Sequence, residues 1–263
     1  MDVFSDLKSK KAVVTGSGGV IGKWISEVLQ KAGCALCLTD TDANALKARG
    51  ADMKLGGDSF AHAADLTNDA SMEALIAEIG KRWGAADILV NNAGIYPSGF
   101  LLDTPAAEYD RIFGVNLRAP FILSKGIAIQ MVQKGVKGSI INISSGASRK
   151  MRRTSVLYCT SKTAIDRLTK GFAIELAEYG IRANTLEPGF APGSSVSALT
   201  PDHIKGTLEQ IPLGRQTSRE DIGNALLYLA SDMSGYVTGA TMTVDGGNSI
   251  GSMAVFQAKK KAL

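Results

Sequence analysis

The sequence predicts an α/β fold: one Rossmann-type domain, a doubly wound seven-stranded parallel sheet with helices on both faces. Three observations predict it. Short apolar runs alternate with amphipathic helical patterns along nearly the whole chain. The runs are almost continuously apolar, as strands covered on both faces must be. No Pro/Gly/Ser-rich stretch separates two composition regimes, so residues 1–263 read as one domain.

The elements follow in order. Ala12–Thr15 reads as the first strand and Val20–Ala32 as an amphipathic helix. Ala35–Thr39 is the second strand, Asp42–Arg49 a helix, and Phe60–Ala63 a short third strand. A helix over Ala70–Trp83 leads into the fourth strand, Ile88–Asn91. One long helix runs from Pro105 to about Lys134, with Pro120 bending it rather than ending it. Gly138–Ile143 is the fifth strand, Leu157–Tyr179 a helix, Arg182–Leu186 the sixth strand, Arg219–Ala230 a helix and Thr241–Val244 the seventh strand. Strands and helices in this alternation form right-handed βαβ units. Phe190–Pro201 reads as a loop within a substrate segment spanning about 190–212. The tail, 248–263, ends in Lys259-Lys260-Lys261 and reads as a frayed end or a contact with a neighbouring subunit.

Composition narrows the function classes. The chain is 45% hydrophobic and 21% charged, with a net charge of +4. Lysines and arginines are interleaved with acids, so no nucleic-acid footprint is expected. No apolar run approaches the roughly 20 residues of a membrane span, and Met1–Lys11 is charged, so no membrane partner and a cytoplasmic location are expected. Cys34 and Cys37 spell CxxC within a strand-like run, where residues three apart face opposite ways; they read as packing residues. Two unclustered histidines give no metal site.

The first strand runs into Thr15-Gly16-Ser17-Gly18-Gly19-Val20-Ile21-Gly22 and then a helix. Glycines there permit a tight turn, bring backbone N–H groups close to a pyrophosphate and aim a helix N-terminus at it. The second strand ends in Asp40, 18 residues after Gly22. An acid at that place accepts from the adenosine ribose hydroxyls and repels a 2′-phosphate, which points to NAD; the other reading is a cap in the acidic turn Asp40-Thr41-Asp42.

Tyr158 and Lys162 stand four apart at the start of a helix, one turn from each other on one face. A nearby cation draws a phenol from its ordinary pKa of about 10 towards working pH. Asn91-Asn92-Ala93-Gly94 follows the fourth strand, Asn142-Ile143-Ser144-Ser145 ends the fifth, and Pro188-Gly189 follows the sixth. Ligands of open α/β sheets bind outside these carboxyl ends, so all of them face one crevice.

With TGxxxxxG, NNAG, the Ser–YxxxK spacing, PG and the late Asp245-Gly246-Gly247, the chain resembles the short-chain dehydrogenase/reductase family from about Leu7 to Gly247. The resemblance implies a catalytic tetrad of Asn116, Ser145, Tyr158 and Lys162. Tyr158 would exchange a proton with the substrate oxygen as hydride moves to or from a nicotinamide. Ser145 would donate a hydrogen bond to that oxygen. Lys162 would hold the nicotinamide ribose, and Asn116 would position a water. Asn116 also interrupts an apolar stretch as a poor helix former, which fits equally a local hydrogen bond at the bend before Pro120. Asp65, followed by Leu66, matches the family's adenine-contacting acid; the alternative is a cap for the next helix. The cofactor set is thus Gly16, Ser17, Gly19, Val20, Ile21, Gly22, Asp40, Asp65, Leu66, Asn92, Ala93, Gly94, Tyr158, Lys162, Pro188 and Gly189. The resemblance further implies a homotetramer paired through the helices holding Asn116 and Tyr158.

The chain departs from the family at three places. Val20 stands where the loop usually has glycine, and a β-branched residue resists φ > 0. Gly193 replaces a threonine that contacts the carboxamide, leaving Ser194 or Ser195 as substitutes, and Glu187 before Pro188 has no account.

Tyr96, Gly146, Arg152, Arg153 and Phe190 are the candidate substrate residues, with Ile95 beside them. Arg149-Lys150-Met151-Arg152-Arg153 carries four cations and reads as a solvated loop, a subunit contact, or a site for an anionic substrate such as a carboxylate. The main expectation is an NAD-dependent secondary-alcohol dehydrogenase or ketone reductase acting on a small molecule. The alternatives are an NADP-dependent 3-oxoacyl reductase and a non-catalytic dinucleotide sensor on the same fold.

Overall fold

A computed structural model describes residues 4–193 and 199–253. Seven parallel strands form one sheet in the order β3-β2-β1-β4-β5-β6-β7. They are β1 (Lys11–Thr15), β2 (Ala35–Thr39), β3 (Phe60–Ala61), β4 (Ile88–Asn91), β5 (Ser139–Ile143), β6 (Arg182–Pro188) and β7 (Thr241–Val244). Between them run α1 (Val20–Lys31), α2 (Ala43–Asp52), α3 (Asp69–Trp83), α4 (Ala106–Phe113), α5 (Ala119–Lys134), α6 (Val156–Leu176), α7 (Pro201–Glu209) and α8 (Arg219–Ala230).

Alternation along each strand divides the core in two. Val13, Leu89 and Ile140 point to one face and pack with Met72, Leu75 and Ile79 of α3, Leu123 and Ile127 of α5, and Ala173 of α6. Ala12, Val14, Val90 and Ile141 point to the other and pack with Ile25 and Leu29 of α1, Leu46 of α2, and Ile222, Leu226 and Leu229 of α8. Cys37 belongs to the first layer and Cys34 to the second; both are free thiols.

The strand order reverses between β1 and β4, the switch point at which open α/β sheets bind ligands. Asn92 stitches it shut: its backbone N–H donates to Thr15 Oγ1 at 2.9 Å, and Nδ2 donates to the Thr15 and Gly16 carbonyls at 2.9 and 3.0 Å.

Three expectations change. The long helix is continuous in direction but passes through a π turn, Gly114–Arg118, before α5. Pro120, near the start of α5, lacks an N–H and its ring crowds the carbonyl four residues back, that of Asn116. The π turn therefore contains the candidate catalytic residue Asn116. The run Ala106–Lys134 is also long and apolar enough, by length and composition, to cross a membrane, contrary to the reading of the sequence. Here Ala119, Leu123, Ile127, Ala128 and Met131 of that run are buried in the core. The expected substrate loop contains α7, whose start is capped by Thr200. Ser194, Ser195 and the lysine tail lie outside the described residues.

Candidate active site

The β1–α1 turn is closed by tight backbone contact as well as by side-chain bonds from Asn92 and to Asp40. Gly16 has φ of +61°, and a Cβ there would lie 2.7 Å from Ala93 Cα. A Cβ on Gly22 would lie 2.1 Å from the Gly16 carbonyl oxygen. Val20 is the first residue of α1 and needs no positive φ, so the departure from glycine leaves the turn intact. Gly19 caps α1 without a side chain, so no side chain competes for the amides at the start of the helix. Such a terminus fits a pyrophosphate. Ser17 is buried, and its hydroxyl donates to the Thr39 carbonyl at 3.3 Å.

Asp40 is not the helix cap. Asp42 caps α2, accepting from the Asn44 and Ala45 amides. Asp40 instead accepts from the Gly18 amide at 2.9 Å through Oδ2 and from the Thr41 amide at 2.8 Å through Oδ1. Its carboxylate is thereby held against the glycine turn. Asp65 does not cap α3 either, a role Asn68 takes. Asp65 accepts from the Thr67 amide and hydroxyl, which hold its carboxyl below the usual range. The side chain of Leu66 is packed in the core.

At the carboxyl ends of β4 and β5 the structure brings four side chains together. Asn116 is buried; its Oδ1 accepts from the Ile95 amide, and its Nδ2 donates to the Ile95 carbonyl, both at 2.9 Å. Nδ2 also donates to Ser161 Oγ at 3.0 Å, and Ser161 Oγ to the Tyr158 carbonyl at 2.8 Å. Asn116 therefore braces the turn after β4 against α6. Its side-chain amide is engaged by Ile95 and Ser161. Gly94 lies between Asn116 and Lys162: a Cβ there would be 3.4 Å from Asn116 Oδ1 and 3.5 Å from Lys162 Nζ. Lys162 is buried and donates to the Ile143 carbonyl at 2.8 Å; its Nζ is 5.8 Å from the centre of the Tyr158 ring. Burial lowers the Lys162 ammonium to about 8. Burial also pushes the Tyr158 phenol up; a hydrogen bond with Ser145 and the charge of Arg152 oppose it. The expected lowering of the phenol is thus outweighed by desolvation in this state.

The substrate candidates separate. Tyr96 leans on Tyr158, ring centres 5.8 Å apart. Gly146 is packed rather than open: a Cβ would lie 2.9 Å from Ser249 Cβ. Gly189, with Pro188 ending β6, is pressed against Thr217 and Asp245, and Phe190 accepts from the Thr217 amide through its carbonyl. In the basic segment, Arg149 pairs with Glu187 at 3.0 Å, Lys150 donates to the Asn248 carbonyl at 2.6 Å, and Arg153 lies over the Phe100 ring. Arg152 is the cation whose charge reaches Tyr158. Thr154, beside them, holds φ of +66°, and its carbonyl accepts from the Gly99 amide.

Sequence reasoning missed Thr15, whose Oγ1 accepts from the Asn92 and Ala93 amides. It also missed Asn142, which links Asn91 to Thr169 across the layers. Both are polar residues in otherwise apolar strands, and that was the available signal. Among the described residues, no cluster of three or more His, Cys, Asp or Glu side chains is placed to hold a metal.

A family profile described as Enoyl-(Acyl carrier protein) reductase matches residues 16–249. Sorbitol dehydrogenase of Cereibacter sphaeroides is 31% identical over 253 residues, covering 92% of this chain and 98% of that protein. A 3-oxoacyl-(acyl-carrier-protein) reductase of Vibrio cholerae is 35% identical over 242 residues, with the same two coverages, 92% and 98%. A gluconate 5-dehydrogenase from Burkholderia cenocepacia, solved in complex with NADP and tartrate, superposes with a TM-score of 0.85 at 31% identity, covering 94% of this chain and 98% of that one.

Proposed function

The chain belongs to the short-chain dehydrogenase/reductase family, and from that premise we propose an NAD(H)-dependent secondary-alcohol dehydrogenase or ketone reductase acting on an anionic substrate. The observation that carries the reading is the meeting of Ser145, Tyr158, Lys162 and Asn116 beside a glycine turn with an uncapped helix start.

A bound nicotinamide dinucleotide supplies the hydride acceptor or donor. The residues that would hold it are the Gly16–Gly22 turn, Asp40, the Asn92–Gly94 turn and Lys162. Tyr158 gives its phenolic proton to the oxygen of a ketone as the carbon is reduced, and takes that proton back in alcohol oxidation. Ser145, hydrogen-bonded to Tyr158, donates to the same oxygen as charge develops on it. Lys162 places a positive charge near the phenol, and Asn116 fixes the turn against which Lys162 lies.

Asp40 supports NAD over NADP. Held against the glycine turn by the Gly18 amide, its carboxylate faces the region a 2′-phosphate would enter, and like charges brought together there cost several kcal/mol. The gluconate 5-dehydrogenase carries NADP in its own site; the choice here rests on Asp40. The anionic substrate rests on Arg152, since the other three cations of its segment have intramolecular partners. A 3-oxoacyl reductase is the second reading, favoured by the Vibrio relative and disfavoured by Asp40. A sensor without turnover has no use for the assembled phenol, hydroxyl and ammonium. The exposed apolar faces of α4, α5 and α6 support a homotetramer.

The test is reduction of NAD⁺ and NADP⁺ against sorbitol and gluconate, a neutral and an anionic polyol. NAD⁺ is expected to be preferred by on the order of 100-fold, about 2.7 kcal/mol, and Asp40→Ala to narrow that ratio. Arg152→Ala is expected to raise KM for gluconate by roughly tenfold or more while leaving that for sorbitol in place. Tyr158→Phe is expected to lose at least about 100-fold in kcat. A preference for NADP⁺ that survives in Asp40→Ala rejects the cofactor reading. An Arg152→Ala enzyme with an unchanged KM for gluconate rejects the anionic one.

A further inference from the structure

Beneath the loop that carries Ser145, two acidic side chains meet. Asp166 lies one helical turn after Lys162 on α6, and Glu187 is the penultimate residue of β6. Glu187 is fully buried. Its Oε1 accepts from Ser148 Oγ at 2.5 Å; its Oε2 accepts from Thr243 Oγ1 at 2.6 Å and pairs with Arg149 Nε at 3.0 Å. Three donors, one of them cationic, make Glu187 the member of the pair that carries the charge.

Asp166 has the opposite surroundings. Its carboxyl is close enough to Ser144, Ser148 and Glu187 for each to bear on its ionisation, yet its buried Oδ1 completes no hydrogen bond. The two hydroxyls have already placed their protons elsewhere: Ser144 Oγ donates to the Lys162 carbonyl at 3.2 Å, and Ser148 Oγ donates to Glu187. With both hydroxyls bonded elsewhere, Glu187 is the acidic group left beside Asp166. A carboxylate there would face lone pairs and a second carboxylate; a carboxylic acid would have a proton to give. Burial foremost pushes the Asp166 carboxyl above its ordinary value; the nearby Ser144 and Ser148 hydroxyls oppose it, and Glu187 adds to it. The ionisable groups around it are Lys162 on its own helix, Glu187 on β6 and, behind Glu187, Arg149 from the loop; β7 presents Thr243, which does not titrate.

We propose that Asp166 is a protonated acid donating to Glu187, and that this acid–carboxylate pair is the positioning device for the segment 144–149 that holds Ser145. The segment is tied to α6 through Ser144 and Ser148, to β6 through the bonds from Ser148 and Arg149 to Glu187, and to β7 through Thr243. Apart from the α6 ties and the bond from the Ser144 amide to the Leu186 carbonyl, these side-chain ties converge on Glu187. Ionisation of Asp166 sets two carboxylates against each other at that node and loosens the segment. Glu187 thereby acquires the role its sequence position left blank. The proposal concerns the protein without dinucleotide or substrate and stands whatever alcohol the enzyme takes.

The experiment compares wild type with Asp166→Asn, Asp166→Ala and Glu187→Gln, all without added ligand. A carboxylic-acid C=O stretch in the infrared spectrum at pH 7 is expected in wild type and absent from Asp166→Asn. Because the folded-state value of Asp166 is raised, the stability linked to its proton is present at low pH and lost as pH rises through that value. Wild-type melting temperature is therefore expected to fall relative to Asp166→Asn as pH rises above the ordinary carboxyl range. Amide exchange in residues 144–149 at pH 7 is expected to quicken at least tenfold in Asp166→Ala and to return to within threefold of wild type in Asp166→Asn. A wild type without the acid band, or a melting difference from Asp166→Asn that is constant with pH, overturns the shared proton. Unchanged exchange in both Asp166→Ala and Glu187→Gln overturns the positioning role. If Asp166→Ala does not fold, the band and the pH dependence of Asp166→Asn still decide.

Discussion

Lys162 is 5% exposed and donates to the Ile143 carbonyl, so an ammonium there has exchanged water for one fixed acceptor. Burial lowers it to about 8, whereas in the unfolded chain it titrates near 10.5. Between those values the unfolded state binds more protons than the folded one, so this group makes stability rise with pH across that window. Below pH 8 the folded protein carries the full cost of the buried charge. Lys162→Met is therefore expected to be more stable than wild type at pH 7, by on the order of 2 kcal/mol. The advantage is expected to shrink as pH climbs towards 10.5, as urea unfolding at pH 7 and 9.5 would register. A Met variant less stable at pH 7 would mean that the ammonium is held by more than the structure displays. At this scale the sequence was legible where residue type alone decides: Tyr158 and Lys162 are a turn apart because the helix puts them there. It was less legible where two acids compete for one role. Asp40 and Asp42 both fit a cap on paper, and only the approach of Asp40 to the Gly18 amide separates them.

At the scale of elements, the β1–α1 turn is a packing problem. The carbonyl of Gly16 stands where a side chain on Gly22 would go, and Asn92 Nδ2 lies 2.8 Å from the same point. Because the obstacle is backbone, a methyl there moves either the turn or the start of α1. Gly22→Ala is expected to weaken NADH binding at least tenfold in a fluorescence titration, with only a modest loss of melting temperature, since the strain falls on the phosphate cradle and not on the core. Retained affinity would mean that the turn relaxes freely. The strands and the helices between them were readable because burial on both faces imposes a long, unambiguous apolar pattern. Two features were not. The π turn at Gly114–Arg118 has no composition signal of its own and follows from Pro120 meeting the Asn116 carbonyl within a helix that tertiary packing keeps intact. The short α7 lies in a segment of small and polar residues, where the helix depends on its Thr200 cap and Pro201 start rather than on periodicity. The Asp166–Glu187 contact was unreadable for a third reason: the residues are 21 apart and meet only because α6 packs along β6.

The molecule as a whole leaves apolar surface that one chain does not cover. Ile174 is 79% exposed and Phe121 43%, and between α4, α5 and α6 a groove of about 560 Å³ is lined by Phe113, Leu117, Phe121, Ala164 and Leu168. On either side of β7 in the sequence, Tyr236, Ile250 and Met253 are also exposed, and we take them as a second candidate contact. β7 is the edge strand of the sheet among the described residues, and an edge strand invites pairing. A closed tetramer with dihedral symmetry uses more than one kind of twofold contact, and two separate apolar regions meet that requirement. If the helical face and the β7 face are independent contacts, damaging one leaves the other. Sedimentation of wild type at micromolar concentration is expected to give a four-chain species, and Phe121→Glu with Leu168→Glu a two-chain species rather than a monomer. Because α4 and α6 flank Asn116 and Tyr158, the same variant is expected to lose kcat more than affinity for NADH, the helices that brace Tyr158 having lost their cover. A wild type that sediments as a monomer at tens of micromolar would assign both apolar regions to some other contact and detach the bracing of Tyr158 from assembly.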